Sequence, residues 1–237
     1  MPNNVGNGIQ APNSAWTFGG KTVDDFDQHI RSSVPFYNDG HQLICSLSDF
    51  FVKPDSVCYE IGSSLGALSA QLVNHHAAKP NTQWIGLDCE ADMVQKASQI
   101  HRAPNLQFIH EDCCITDYKK SDLIVAYYTV QFIPPARRQV LLNRLFDALN
   151  WGGSLILFEK VRGPDARFQD ILTTLYTDFK LNNNHSPEEI VNKTRSLKGI
   201  LEPFSTQGNL DLLARAGFKD VMTVMKYLCF EGFLAIK

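Results

Sequence analysis

The chain has 237 residues, 44% hydrophobic and 20% charged, with a formal net charge of −3. A chain of this length buries roughly 70–75% of the surface it exposes when unfolded, which excludes a disordered polymer, a coiled coil and a small disulfide-stapled scaffold. The mild negative charge argues against nucleic-acid binding through bulk electrostatics, which needs a basic excess or a basic face.

In chain order, residues 1–21 are rich in Asn, Gly and Pro without hydrophobic periodicity, and are expected to form a mobile arm outside the fold. Short β-branched runs then alternate with longer amphipathic stretches. The runs are VCYEI (57–61), QWIGL (83–87), LQFI (106–109), DLIVAYY (122–128) and SLILFEK (154–160), and the alternation predicts a parallel sheet covered by helices on both faces. Val140, Leu141, Leu142, Leu145 and Leu149 recur at helical spacing after Pro135, which suits a first turn, and Asn150-Trp151-Gly152-Gly153 is expected to stop that helix. After Lys160 the texture becomes Asp-, Asn- and Lys-rich. Two helices are expected there, the second opened by the capping-box pattern Ser186-x-x-Glu189. The segment from Asp220 to Lys237 reads as two strands joined tightly near Glu231-Gly232. There is no internal repeat.

Six cysteines, Cys45, Cys58, Cys89, Cys113, Cys114 and Cys229, include no C-x-x-C pair and no spacing that joins the histidines as zinc ligands. Buried thiols and no metal site are expected. No apolar run reaches the roughly 20 residues of a membrane span, and no basic and apolar leader opens the chain. A cytoplasmic protein without membrane contact is the expectation.

The chemistry concentrates after the first strand, where Glu60-Ile61-Gly62-Ser63-Ser64-Leu65-Gly66-Ala67 runs into a helix expected over Leu68–His76. A glycine-bearing strand-to-helix turn lets ligand atoms approach the backbone, so Gly62 and Gly66 are the main cofactor positions. Ser64 stands where the central glycine of G-x-G-x-x-G would admit a pyrophosphate, which disfavours a nicotinamide oxidoreductase. Asp88 ends the second run about 20 residues further on, where an acidic side chain accepts hydrogen bonds from ribose hydroxyls. Asp112, in Glu111-Asp112-Cys113, is placed to accept from an adenine amine. Glu60, Asp88 and Asp112 at three successive strand ends describe a pocket for a cationic adenosyl ligand without phosphate. S-adenosylmethionine has that chemistry.

Four stretches carry a resemblance to the class I methyltransferases, and more closely to the carboxy-S-adenosylmethionine synthase family. They are Arg31-Ser32-Ser33-Val34-Pro35-Phe36-Tyr37; Gly62-Ser63-Ser64-Leu65-Gly66-Ala67; Thr129-Val130-Gln131-Phe132-Ile133-Pro134-Pro135 continuing to Asn150-Trp151-Gly152-Gly153 and Glu159-Lys160; and Asp178-Phe179-Lys180 with Glu189-Ile190. The resemblance implies a Rossmann-like α/β fold with a seven-stranded, mostly parallel sheet, an antiparallel C-terminal hairpin and a helical lid inserted at about 162–208, all in a single domain from residue 22 to 237. It implies cofactor contacts at Tyr37, Gly62, Ser63, Ser64, Asp88, Cys89, Asp112 and Cys113. Glu60, Gly66, Met93 and Tyr127 complete the expected set. It also implies a homodimer.

Two positions depart from the family. Tyr127 stands where the resemblance implies Asn, and Thr194 where it implies an Arg that grips a carboxylate. A guanidinium binds a carboxylate through two parallel N–H donors and Thr cannot reproduce that. Arg195 is adjacent but turned by about 100° along a helix, so it does not automatically replace the contact. Lys193, on the other side, is the second neighbour that could supply the cation. If neither does, the pocket keeps S-adenosylmethionine but loses its preference for the carboxylated form. On that basis methyl transfer from S-adenosylmethionine to a small-molecule acceptor is ranked first, with Tyr37, Tyr127, Tyr128, His185 and Arg195 as candidate acceptor-side groups. The alternative is synthesis of carboxy-S-adenosylmethionine from S-adenosylmethionine and prephenate, a product used in wobble-uridine modification of transfer RNA, with no direct nucleic-acid binding by this chain. A non-enzymatic module that merely retains the ligand is the third possibility weighed.

Overall fold

A computed structural model describes residues 3–20 and 22–237. In chain order the elements are β1 (Asn3–Asn4), β2 (Gln10–Ala11), α1 (Thr22–Ser33), α2 (Tyr37–Ser48), β3 (Val57–Ile61), α3 (Ala67–His75), β4 (Gln83–Asp88), α4 (Ala91–Ile100) and β5 (Leu106–His110). They continue with β6 (Ser121–Tyr127), α5 (Pro135–Ala148), β7 (Leu149–Lys160), α6 (Ala166–Asn182), α7 (Pro187–Ser196), α8 (Thr206–Ala216), β8 (Asp220–Tyr227) and β9 (Phe230–Ile236).

The large sheet has the order β5-β4-β3-β6-β7-β9-β8. β5, β4, β3, β6 and β7 run parallel, and β9 joins β7 and β8 antiparallel. This is the predicted architecture. The central strands are buried on both faces, as a helix-covered parallel sheet demands: Leu123, Ile124, Val125 and Ala126 are all inaccessible. Alternate side chains feed opposite layers. Tyr59, Ile61, Ile124, Ala126, Leu155 and Leu157 pack with α5 and α8, whereas Cys58, Leu123, Val125, Ile156 and Phe158 pack with α2 and α3.

Local punctuation explains the flanking helices. Pro135 occupies the first turn of α5, which buries Leu141, Leu142 and Leu145. Ser186 and Glu189 form the predicted reciprocal cap on α7. Gly217, at φ 119°, ends α8.

Three expectations are corrected. Asn150–Gly153 does not simply stop a helix: β7 already begins at Leu149, which pairs with Ser121, and the intervening residues bulge before Ser154 pairs with Leu123. The C-terminal hairpin turns between Tyr227 and Phe230 rather than at Glu231-Gly232. The expected mobile arm falls partly on residues 1, 2 and 21, which lie outside the described residues, but residues 3–20 are anchored to the fold by four buried side chains. Val5, Ile9, Ala11 and Trp16 are buried together beside Leu197 and Ile200, Ser14 N–H donates to Arg195 O at 2.9 Å, and Trp16 N–H donates to Ser196 O at 3.2 Å. Their spacing follows neither helical nor strand period, so periodicity does not reveal them.

Candidate functional site

Strand order reverses at β3, whose neighbours β4 and β6 carry the chain away on opposite sides. Open α/β sheets bind ligands outside the carboxyl ends of the strands at such a switch point. A cavity of about 1220 Å³ lies there, reaching from the turn after β3 to α6 and α7.

The turn is shaped by three left-handed residues, Gly62 (φ 71°), Ser64 (φ 50°) and Gly66 (φ 76°). Gly62 N–H and Ser63 N–H both donate to Leu87 O, at 2.7 and 2.9 Å, locking the turn onto β4. Beside Gly66 lies the Phe108 ring, which an added Cβ would penetrate. Both glycines are therefore required by conformation and by space.

The acids sit at the strand ends as expected. Asp88 accepts from Ser64 N–H at 2.7 Å and Glu90 N–H at 2.9 Å, one on each oxygen. Burial raises its pKa against those donors, and each oxygen keeps a lone pair for a further donor. Glu60 is buried and accepts from Ser69 Oγ; burial pushes its carboxyl up to about 8. Asp112 accepts from Cys114 N–H at 2.8 Å and pairs with Arg137 at 2.7 Å. Burial opposes ionisation of Asp112, but these partners hold its pKa below the ordinary value. Met93 is buried under the turn, 3.6 Å from Ser64 Oγ. Cys89 is exposed and Cys113 half-buried, both on the cavity wall, so the expectation of buried thiols holds only for Cys45, Cys58, Cys114 and Cys229.

Tyr37, Tyr127 and Tyr128 form an aromatic wall. Tyr37 opens α2, its ring 5.2 Å from that of Tyr127, and Tyr127 Oη donates to Tyr37 O at 2.7 Å. The Tyr127 ring passes so close to Gly40 that any Cβ there would collide with it, which explains a glycine inside α2. Tyr128 is buried at φ 59°, and its hydroxyl has no partner among the described residues. His185 is buried, not an exposed loop residue, with Nε2 3.1 Å from Ser32 Oγ. Arg195 is exposed at the cavity rim.

The opposite end of the cavity is cationic. Lys160 from the end of β7 and Lys180 from α6 place their ammonium groups 4.3 and 4.5 Å from the Tyr176 ring centre. Lys193 from α7 lies over the Trp16 ring. Among the described residues none of the three has a carboxylate within 4 Å. Burial lowers the pKa of all three, that of Lys180 to about 8. Thr194, at the position where the resemblance implies an Arg, returns its hydroxyl to Ile190 O at 2.8 Å.

Comparison with known proteins decides the family. Residues 59–153 match the family described as "Methyltransferase domain". The chain is 35% identical over 223 residues to a carboxy-S-adenosyl-L-methionine synthase of Staphylococcus epidermidis, covering 94% of this chain and 97% of that one. This chain belongs to the carboxy-S-adenosyl-L-methionine synthase family. A Nautilia profundicola relative of the same name is 31% identical, with 93% of this chain and 94% of the relative covered. Among solved structures, human N-acetylserotonin methyltransferase in complex with SAM superposes with a TM-score of 0.61 at 18% identity, over 91% of this chain and 55% of that one. A putative O-methyltransferase from Nostoc punctiforme gives 0.63 at 17% identity, over 91% and 58%. These two establish the fold. The protein is an S-adenosylmethionine-dependent transferase.

Within the family frame, all of the expected cofactor positions except Gly66 line one cavity. Gly66 supports the turn from behind. From the sequence, Lys193 is a candidate replacement for the missing Arg, whereas Lys160 and Lys180 carry no role there, although Glu159-Lys160 and Asp178-Phe179-Lys180 belong to stretches that carry the resemblance. A lysine ending an apolar run was the available signal, because a buried charge needs a partner.

Proposed function

We propose that this chain forms carboxy-S-adenosylmethionine from S-adenosylmethionine and a small carboxylate-bearing donor of the prephenate class. The observation that carries the reading is the polarity of the cavity: Glu60 and Asp88 at one end, and Lys160, Lys180 and Lys193 without carboxylate partners at the other. S-adenosylmethionine brings a sulfonium with an activated methyl carbon. The free lone pairs of Asp88 suit the ribose hydroxyls, Glu60 suits the cationic portion, and Cys89, Asp112 and Cys113 border the adenine position. Tyr37, Tyr127 and Tyr128 wall off the space between the ends, where alignment in a dry site does much of the catalytic work. The three lysines supply the anion-binding charge that Thr194 lacks, and Arg195 guards the rim.

Tyr127 and Thr194, where the resemblance implies Asn and Arg, favour a second reading: methyl transfer to a small-molecule acceptor. Incubation with S-adenosylmethionine and prephenate, followed by mass spectrometry, separates the two. A product heavier than S-adenosylmethionine by one carbon dioxide supports synthesis. Untouched prephenate, with demethylated cofactor appearing only when other acceptors are supplied, selects methyl transfer.

Use of the product in wobble-uridine modification of transfer RNA follows from the resemblance, as does a homodimer. The face of α6 that carries Phe168, Ile171 and Leu175, each 44–51% exposed, suits the dimer contact. No described helix is long and apolar enough to cross a membrane. Free Cys89 and Cys113 in the cavity wall suit a reducing cytoplasm.

Glu60 provides a pH test. With a pKa near 8 it is protonated at pH 7, and a cationic ligand beside it favours the carboxylate. Binding of S-adenosylmethionine at pH 7 is expected to release a proton, and affinity to rise with pH until it levels above about 8. Calorimetry in two buffers of different ionisation enthalpy measures this; identical heats in both would exclude Glu60 as the linked group.

A further inference from the structure

Far from the cavity, Asp49 at the C-terminal cap of α2 meets His75 and His76, which close α3. His75 Nε2 lies 3.0 Å from Asp49 Oδ2, and His76 Nδ1 lies 3.9 Å from Asp49 Oδ1. One nitrogen or oxygen from each of the three residues falls within 4.8 Å of the others.

The partners of His76 fix its tautomer. Ser48 Oγ lies 2.6 Å from Cys45 O, which can only accept, so the hydroxyl proton is committed there. Ser48 Oγ therefore accepts from His76 Nε2–H at 2.7 Å. The ring is 1% exposed and lies flat against Trp84, at 5.5 Å and 15°. Its Nδ1 has no hydrogen-bond partner among the described residues. That bare nitrogen faces a carboxylate, another acceptor, at a separation beyond hydrogen-bond reach. His75 Nε2–H donates to Asp49 Oδ2 at 3.0 Å, so within the cluster it is the buried His76 Nδ1 lone pair that faces Asp49 without a proton between them. The neighbouring cation, Lys79, is held by Val52 O at 2.8 Å and approaches only Asp49 Oδ1, at 3.7 Å.

We propose that Asp49, His75 and His76 bind a divalent transition metal ion, zinc being the best match to two imidazole nitrogens, one carboxylate oxygen and a water. Zinc bonds of about 2.0–2.1 Å put tetrahedral ligands roughly 3.3 Å apart. The required contraction falls on Asp49 and His75, whose side chains are 53% and 34% exposed and free to move. His76 is already oriented by the bond on its other ring nitrogen, as metal-bound imidazoles are. The aligned pair cannot be seen in chain spacing, because only the packing of α2 on α3 brings Asp49 to the histidines. The opposite ends of these helices border the cavity at Tyr37 and Ala67, so the ion acts as a clip that fixes two cavity walls rather than as a reaction centre.

Zinc titration of the full chain against a chromophoric competing chelator tests the site. The expected result is one saturable zinc ion, held at least about tenfold more weakly by His75→Gln and by Asp49→Asn and unchanged by Cys113→Ser, which alters the separate Asp112–Cys113–Cys114 cluster. Zinc is also expected to raise the Tm of the parent chain and not of the two site variants. Equal melting of parent and variants in chelator shows that both fold. Absence of saturable binding, or binding that survives both site substitutions, overturns the assignment.

Discussion

Gly62→Ala is expected to weaken S-adenosylmethionine binding by at least about 100-fold, some 2.7 kcal/mol, and to cost about 2–4 kcal/mol of stability. The residue sits at φ 71°, a region that penalises any Cβ. The added carbon would also overlap Thr129 Cγ2 and Oγ1 and stand 2.9 Å from its Cβ. Thr129 cannot swing aside, because its hydroxyl donates to Ile61 O at 2.8 Å and fixes the rotamer. The strain is relieved only by opening the turn, which pulls Ser64 N–H from Asp88 and disturbs the acid proposed to hold the ribose. Calorimetric binding and urea unfolding measure the two effects separately. Thr129→Ala in the same chain removes the overlap with Cγ2 and Oγ1 but leaves the 2.9 Å approach of Cβ and the backbone penalty, so it is expected to return part of the stability and little of the affinity. Parent-like affinity in Gly62→Ala would remove this turn from the cofactor site.

The parallel sheet, its glycine turn and the acids at its strand ends were legible because each depends on local residues: β-branched runs, a positive-φ glycine, a carboxylate just past an apolar stretch. What escaped depends on contacts distant in the chain. Gly232 looks like a turn residue, yet it lies inside β9 opposite Phe158, whose ring fills the space where a Cβ would stand. His185 follows three asparagines and reads as solvent-exposed, but Ser32 and His29 enclose it. The arm buries Val5 and Trp16 beside strands of only two residues each, too short for a period to betray it. Thr194 was seen as a missing cation when taken alone. The lysines proposed to supply that charge come from β7, α6 and α7, three elements whose convergence on one cavity is a property of topology.

Lys180→Met is expected to lower kcat/KM for prephenate by about 100-fold, in the range set by removing one partner of a buried charge pair, while S-adenosylmethionine affinity stays within about threefold. Lys180 has a direct titration signature. Burial, and then the charge of Lys160, lower its pKa to about 8. The ammonium that attracts a carboxylate is therefore lost as pH rises through 8, and KM for the anion is expected to climb above that pH. Lys160→Met removes the neighbouring positive charge, so the alkaline limb moves to higher pH even as the overall anion affinity falls. A purely structural role for Lys180 would not move with its neighbour's charge. Stability carries the opposite sign. The folded value lies below the unfolded value of about 10.4, so the unfolded chain binds more protons between pH 8 and 10 and the ligand-free protein gains stability over that window. Lys180→Met is expected to remove the share of that rise that Lys180 contributes and to be the more stable chain at pH 7, because it no longer buries a charge without a carboxylate partner. Urea unfolding at pH 7 and 9.5, beside the pH profile of kcat/KM, checks both limbs. If the alkaline limb stays in place in Lys160→Met, or prephenate turnover survives in Lys180→Met, the cationic end of the cavity is not the anion site.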